Sequence, residues 1–252
     1  MREKKSRILP GYPRILATRP NSAWLVRRRK KFFWKIIPIG IILCSTTDRR
    51  ICLKSPKAMN KAEKTRQFIV ERTAPIFNKK GYAGTSLSDM TDATGLTKGS
   101  IYGNFANKDE VALAAFDYNV QKVTSMIRAE MDKKKTVREK LLVYVDVYNG
   151  SIQGFPEGGC PILNTAVEAD DTHEALKKKV VDVILNWKNY IVSLLQQGIE
   201  KKEFKEIKDP EQTALSIIST IEGGIMVSRV TGRPQYRRQV MEHVEKMIRE
   251  LK

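Results

Sequence analysis

The chain has 252 residues, 41% of them hydrophobic, enough for one larger domain or two small ones without disulfide or metal staples. Its formal charge is +18, but residues 1–58 hold 16 Lys/Arg against 2 Asp/Glu, which leaves a net of only +4 for the rest. Whole-chain basicity is therefore no argument for nucleic-acid binding, and only the local placement of charge counts.

Cys44, Cys52 and Cys160 form no C-x-x-C pair, and the histidines are His173 and His243 alone. That excludes zinc-ligand spacing and a disulfide framework, and suits a reducing cytoplasm. No nucleophile–histidine motif and no phosphate-cradling glycine loop occurs, so no enzyme, cofactor or metal is expected. Asp170 and Asp171 beside His173 read as a solvated helix start.

Residues 1–58 read as an extension outside the fold. They carry Arg27-Arg28-Arg29-Lys30-Lys31 and then the apolar run FFWKIIPIGIILC from Phe32 to Cys44. The run is shorter than the ~20 apolar residues a bilayer needs, and Lys35, Pro38 and Gly40 interrupt it. No small-x-small cleavage site follows. A dispensable extension with the true start at Met59 is expected; a membrane tether through residues 32–44 is the alternative, so no membrane is obligatory.

From Lys61 to Lys80, Ile69, Thr73, Ala74, Ile76 and Phe77 mark one helical face, with Gly81 as the stop and Pro75 as a kink or a freed carbonyl. Ser86 and Asp89 have capping-box spacing and open a short second helix that buries Leu87, Met90 and Ala93. Gly95 breaks it. Thr97 caps a short third helix, KGSIYGNF, with Ile101 and Phe105 inward. Asn107 and Glu110 start a long fourth helix running to about Met131.

Thr136 and Glu139 cap a fifth helix, and Gln153 to Gly159 form a loop. Pro161 opens a sixth helix, a seventh runs from about Thr172 to Lys202, Asp209-Pro210 starts an eighth and Pro234 a ninth. The fold class is all-α with about nine helices: a helix-turn-helix domain over 59–107 and an effector-binding and dimerisation domain over 108–252.

Helices two and three, joined at Gly95, make a helix-turn-helix, whose second helix enters the major groove. TGLTKGSIYGNF suits that task. Gly99 lets the backbone approach the groove wall. Thr97, Lys98, Ser100, Tyr102 and Asn104 offer donors and acceptors to base edges and phosphates. Thr85 and Ser86 at one helix N-terminus and Lys108 at another are expected anion sites.

The stretch FIVERTAPIFNKKGYAGTSLSDMTDATGLTKGSIYGNFANKDEVALAAF resembles the DNA-binding domain of TetR/AcrR-type transcriptional regulators. The shared marks are I…AxxxF…KGY…TS, the turn TGLTKGSIYGNF, and NKDE, over about fifty residues. The resemblance implies an all-helical homodimer on double-stranded operator DNA, with a divergent body that takes a small-molecule effector. It implies a repressor released from its operator by that effector. By position, Thr85, Ser86, Lys98, Gly99, Ser100, Tyr102, Asn104 and Lys108 would carry DNA contact. Pro75 within the first helix and Gly103 in place of a larger residue depart from the pattern.

In the body, Phe116, Tyr144, Tyr148, Cys160 and Trp187 are the candidates for the effector pocket, although aromatics at helical spacing also serve as core. Ile218, Ile221, Gly224, Ile225 and Val244 are the candidates for the dimer interface. Cys160 in EGGCPIL sits at a helix N-terminus, where a thiol pKa falls; Glu157 opposes that. Two readings stay open for it: an electrophile or redox sensor, or an inert buried thiol.

Overall fold

The computed structural model describes residues 59–251. Both expectations for residues 1–58, a dispensable extension and a tether at 32–44, fall outside the described residues, as do Cys44 and Cys52. Nine α-helices and no strand occur among the described residues: α1 Lys61–Gly84, α2 Leu87–Thr94, α3 Lys98–Tyr102, α4 Lys108–Met131, α5 Val137–Asn149, α6 Pro161–Ala169, α7 Glu174–Glu200, α8 Pro210–Thr231 and α9 Pro234–Arg249. None of these helices is long and apolar enough to cross a membrane.

The helix ends follow from local chemistry. Asn60 with Glu63, Ser86 with Asp89 and Thr136 with Glu139 each form a reciprocal capping box, satisfying donors that the helix start leaves open. Asp209 caps α8 through its side chain, and Pro161, Pro210 and Pro234 occupy first helical positions. His173 caps α7, its Nδ1 accepting from the Leu176 N–H at 3.2 Å.

The discontinuity in α1 falls at Gly81, not at Pro75. Gly81 has φ +74°, while Pro75 lies within helical backbone. Near Pro75, the carbonyl of Ala74 accepts from buried Asn119 of α4 at 2.9 Å, and Thr73 Oγ1 donates to the Ile69 carbonyl at 2.8 Å. These bonds fasten the segment around the missing proline donor.

Two buried apolar clusters organise the chain. One gathers Ile69, Ala74, Phe77, Met90, Ile101, Phe105, Val111, Ala112 and Ala115 from α1 to the start of α4. The other begins at Phe116 and takes the remainder of α4 together with α5 to α9. α4 thus belongs to both, and Tyr82 packs against each.

The structure corrects the expected dimer stripe. Ile218, Ile221, Gly224 and Ile225 of α8 and Val244 of α9 are buried within a single chain. The reason is that α8 packs on both α7 and α9, which uses up its most apolar face. Gly224 allows the close approach: a methyl group there would lie 2.7 Å from Val240 Cγ1. Apolar residues on the outer side are instead Leu215, Met226, Val227 and Val230 of α8, with Val181 and Leu185 of α7. Gly224→Ala should lower stability by about 1–3 kcal/mol through overpacking of α8 on α9, read as an earlier urea midpoint at fixed protein concentration.

Candidate nucleic-acid interface

α3 is five residues long and could not stand alone, since isolated helices of such length are unstable in water. It is held from behind. Ile101 is fully buried and Phe105, just beyond the helix, nearly so. Arg66 of α1 binds this corner from outside: one guanidinium nitrogen donates to the Asn104 carbonyl and another to Glu110 at 2.8 Å, and the guanidinium lies 4.0 Å from the Phe105 ring centre. Sequence reasoning missed Arg66. Its only sequence trace is a basic residue one turn before Ile69.

The opposite side of α3 faces water. Thr97, Lys98 and Gly99 are exposed, and Ser100, Tyr102 and Asn104 are half-buried. A side chain at Gly99 would meet nothing nearer than Thr97 Oγ1, at 4.0 Å. The Thr97 hydroxyl accepts from the Ser100 N–H at 3.2 Å, and Asn104 Nδ2 donates to the Ser100 carbonyl at 2.9 Å. The structure therefore leaves Thr97, Lys98 and Gly99 facing outward, with Ser100, Tyr102 and Asn104 partly covered beside them and Tyr102 packed in part against the small core.

Thr85 does not join it. Its side chain is fully buried and its hydroxyl donates to the Gly81 carbonyl at 2.6 Å, so it offers nothing to a duplex. Ser86 is exposed, but the helix start it caps already holds a carboxylate: Asp89 accepts from the Ser86 N–H at 2.8 Å and from Lys80 at 2.6 Å. Those partners, Lys80 first, hold the Asp89 carboxyl down to about 2, so it stays charged. The expected anion site at this helix start is filled by the protein's own carboxylate.

Lys108 lies with its ammonium 4.4 Å from the Tyr82 ring centre, a cation–π contact. The Tyr82 hydroxyl donates to Asp109, and this bond, with burial, pushes its pKa up to about 12. The His173 ring meets Tyr82 edge-on at 4.6 Å, and its Nε2 lies 3.7 Å from Asp109. The starts of α4 and α7 thus converge on the end of α1.

α6 joins the same place. Glu168 accepts from the N–H groups of Tyr82 at 2.6 Å and Ala83 at 2.7 Å. A side chain at Gly81 would collide with the Glu168 carboxylate. Asn78 donates to the carbonyls of Glu157 and Gly159, at 2.6 and 3.0 Å, and Asn164 donates to those of Asn78 and Gly158, both at 2.9 Å. The end of α1, two residues before α2, is therefore fastened to the 157–168 segment largely by backbone-directed hydrogen bonds.

In the body, Phe116, Tyr144, Tyr148, Cys160 and Trp187 are all buried. Tyr148 stacks on Trp187 at 5.5 Å and meets Phe155 edge-on at 5.5 Å, and Tyr144 lies 5.8 Å from Trp187. Phe116 lines a different small cleft with Asn78, Tyr82, Asn119 and Glu168, of about 20 Å³, room for little more than one water.

Cys160 has its carboxylate neighbour in α8. Its Sγ donates to Glu222 Oε1 at 3.0 Å, while Glu157 pairs with Lys79. Burial and then the Glu222 charge push the thiol well above its ordinary value, which opposes thiolate formation and favours the inert reading over the sensor.

A five-residue helix that shows water a polar face, set on a three-helix core and preceded by a short capped helix and a left-handed glycine, Gly95 at φ +67°, defines a helix-turn-helix DNA-binding protein. Residues 69–115 match the family described as bacterial regulatory proteins, tetR family, and residues 137–244 match the tetracyclin repressor-like C-terminal domain. A crystal structure of a TetR-family regulator from Cytophaga hutchinsonii superposes with a TM-score of 0.74 at 50% identity, covering 78% of this chain and 98% of that one. One from Chloroflexus aurantiacus gives 0.72 at 38% identity, covering 76% and 98%. The transcriptional regulator CymR of Pseudomonas putida is 31% identical over 172 residues, 67% of this chain and 83% of CymR. The chain belongs to the TetR family and is a DNA-binding transcriptional regulator.

Burial raises the Glu222 carboxyl from 4.5 to about 7, an effect that the bond from Cys160 partly offsets. The folded protein therefore keeps a proton here that the unfolded chain has released, so this group's contribution is full below 4.5 and is lost as pH rises through about 7. The loss is on the order of 3 kcal/mol. Glu222→Gln should accordingly melt above the parent protein at pH near 8, with the gap closing toward pH near 5, by calorimetry across that range.

Proposed function

We propose that the protein is a cytoplasmic, homodimeric repressor that grips operator DNA with α3 of each copy and lets go when a small molecule occupies the body. The observation that carries the reading is the outward face of α3, held rigidly by Ile101, Phe105 and Arg66. Lys98 reaches a phosphate, Gly99 admits the groove wall, and Ser100, Tyr102 and Asn104 read base edges or sugar–phosphate. Thr97 and Ser86 sit at the margins, and Lys108 serves by holding Tyr82.

One such helix spans too few base pairs to find a single site, so two copies spaced by one DNA turn are needed. The exposed Leu215, Met226, Val227 and Val230, with Val181 and Leu185, supply the apolar area for pairing. Effector binding would act by preferring the arrangement in which the two reading helices no longer match the groove spacing. The fastening of Glu168, Asn78 and Asn164 to the end of α1 gives that preference a route to α2 and α3.

Binding to the DNA beside its own gene, followed by fluorescence anisotropy against salt, tests the reading. Lys98→Ala should weaken binding on every sequence and reduce the slope of log affinity against log salt by about 1. Thr85→Val, by contrast, should lower stability and leave the slope unchanged; the reverse pattern overturns the assignment. Met226→Glu with Val230→Glu should yield monomers in sedimentation and cost about tenfold or more in operator affinity, because two like charges would have to be buried against their copies.

A further inference from the structure

Between Glu222 and Glu242 the sequence holds Arg229, Arg233, Arg237 and Arg238 and no acid. These residues close α8, form the turn and open α9. Arg229, Arg233 and Arg238 are exposed and Arg237 is half-buried. No ion pair among the described residues includes any of the four. Arg237 Nε is buried without an acceptor among those residues, and Arg233 donates to the neutral hydroxyl of Tyr236 at 2.6 Å. The basic run at 133–138 is, by contrast, partly spent within the chain: Lys133 pairs with Glu130, and Arg138 donates to the carbonyls of Glu203, Ile248, Arg249 and Leu251.

The Arg138 bonds also fix where the α8–α9 turn lies. They gather the start of α5, the segment just past α7 and the end of α9 at one place. That place is remote from the reading head, because α4 and α7 leave the head side by side, at Asp109 and His173, and run 24 and 27 residues away from it. α9 has 16 residues and is about 24 Å long, so its start lies at the other end of the body, toward the head. Contacts there agree. A methyl group at Gly150 would lie 2.8 Å from Arg237 Nη2, and one at Gly159 would lie 2.8 Å from Arg229 Cδ. One at the neighbouring Gly158 would lie 2.9 Å from the Asn78 carbonyl oxygen of α1. A single connection thus separates the arginine turn from the helix that carries the head.

Met226, Val227 and Val230, the apolar residues offered above for pairing, lie in the same last turns of α8 as Arg229. A dimer built on them brings both turns close to the two-fold axis, between the heads, with their arginines near one another. Like charges so placed oppose pairing until a polyanion neutralises them. We propose that the α8–α9 turn is a second DNA-binding surface, which neutralises the phosphates between the two half-sites while α3 of each copy reads the half-sites themselves. This rests on the reading of the protein as a dimeric DNA-binding regulator and gives the body a part in holding the duplex. Guanidinium forks match phosphate oxygens, and phosphate contacts carry no sequence information, so the turn adds affinity on any sequence of the intervening base pairs. Three exposed arginines suit the outside of a duplex, not an enclosed ligand.

The test uses the full chain, the double variant Arg233→Gln with Arg238→Gln, and operator duplexes whose half-sites are first located by footprinting. Binding is followed by fluorescence anisotropy against salt. The variant should bind about tenfold or more weaker at moderate salt, and its slope of log affinity against log salt should shrink by about 2 or more. A second set of duplexes carries uncharged methylphosphonate linkages, either between the half-sites or outside them. The central set should cost the parent protein about tenfold or more and the double variant no more than about twofold, since the variant has already lost that contact. An unchanged slope, equal losses for parent and variant on the central set, or equal losses for the parent on central and outer sets overturns the proposal. So does inorganic pyrophosphate that binds the parent without DNA and not the variant, which would make the turn a small-anion site. Should the variant misfold, the parent's central and outer losses decide alone. A parent protein that holds the unmodified operator and ignores the central linkages sinks only this inference, whereas one that cannot hold DNA sinks the wider reading.

Discussion

Everything the reading head does depends on the burial of Ile101 and Phe105 beneath α3. A helix of five residues has almost no stability of its own, so its position is inherited from what lies under it. Arg66 completes that seat by joining a backbone carbonyl, a carboxylate and an aromatic face at one point. The Glu110 carboxylate it meets also accepts from the Ala106 N–H, and these partners hold its pKa below the ordinary value. The start of α4 and the end of α3 are therefore set by the same few atoms.

From there the chain passes its constraints outward through α4. The first turns of α4 fill the small core and the remainder fills the large one. A displacement of α4 cannot be confined to one of them, because close-packed interiors transmit shifts instead of absorbing them. The cluster of Tyr82, Lys108, Asp109 and His173 stands where the two cores meet, and it ties the beginnings of α4 and α7 to the end of α1. The body and the reading head share one helix and one polar knot.

Much of this was legible in the sequence. Helix starts could be read because caps are local: Ser86 with Asp89, Thr136 with Glu139 and the prolines at first positions declare themselves within four residues. The outward and inward sides of α3 followed from spacing alone. What could not be read required partners far apart in the chain. Arg66 meets Glu110 across 44 residues, and Cys160 meets Glu222 across 62. Thr85 is a local exception: its hydroxyl donates to the Gly81 carbonyl only four residues before it, at the discontinuity in α1. The apolar stripe of α8 was visible, but periodicity does not tell whether a second chain or α9 covers it, and here α9 does.

The end of α1 is fastened to α6 and the connection before it by hydrogen bonds to main chain, beside a small cleft that Phe77, Tyr82 and Pro161 help to line. Glu168 holds two amide hydrogens, Asn78 holds the Glu157 and Gly159 carbonyls, and Asn164 holds the Asn78 carbonyl across the contact and the Gly158 carbonyl on its own side. Water can take the place of each neutral partner at a net expense of about 1 kcal/mol per bond, and of the Glu168 carboxylate at about 1.5–3 kcal/mol per bond, whereas a greasy seam of equal extent would resist wetting. A joint built this way can be exchanged for water bond by bond while the apolar cores on either side stay closed.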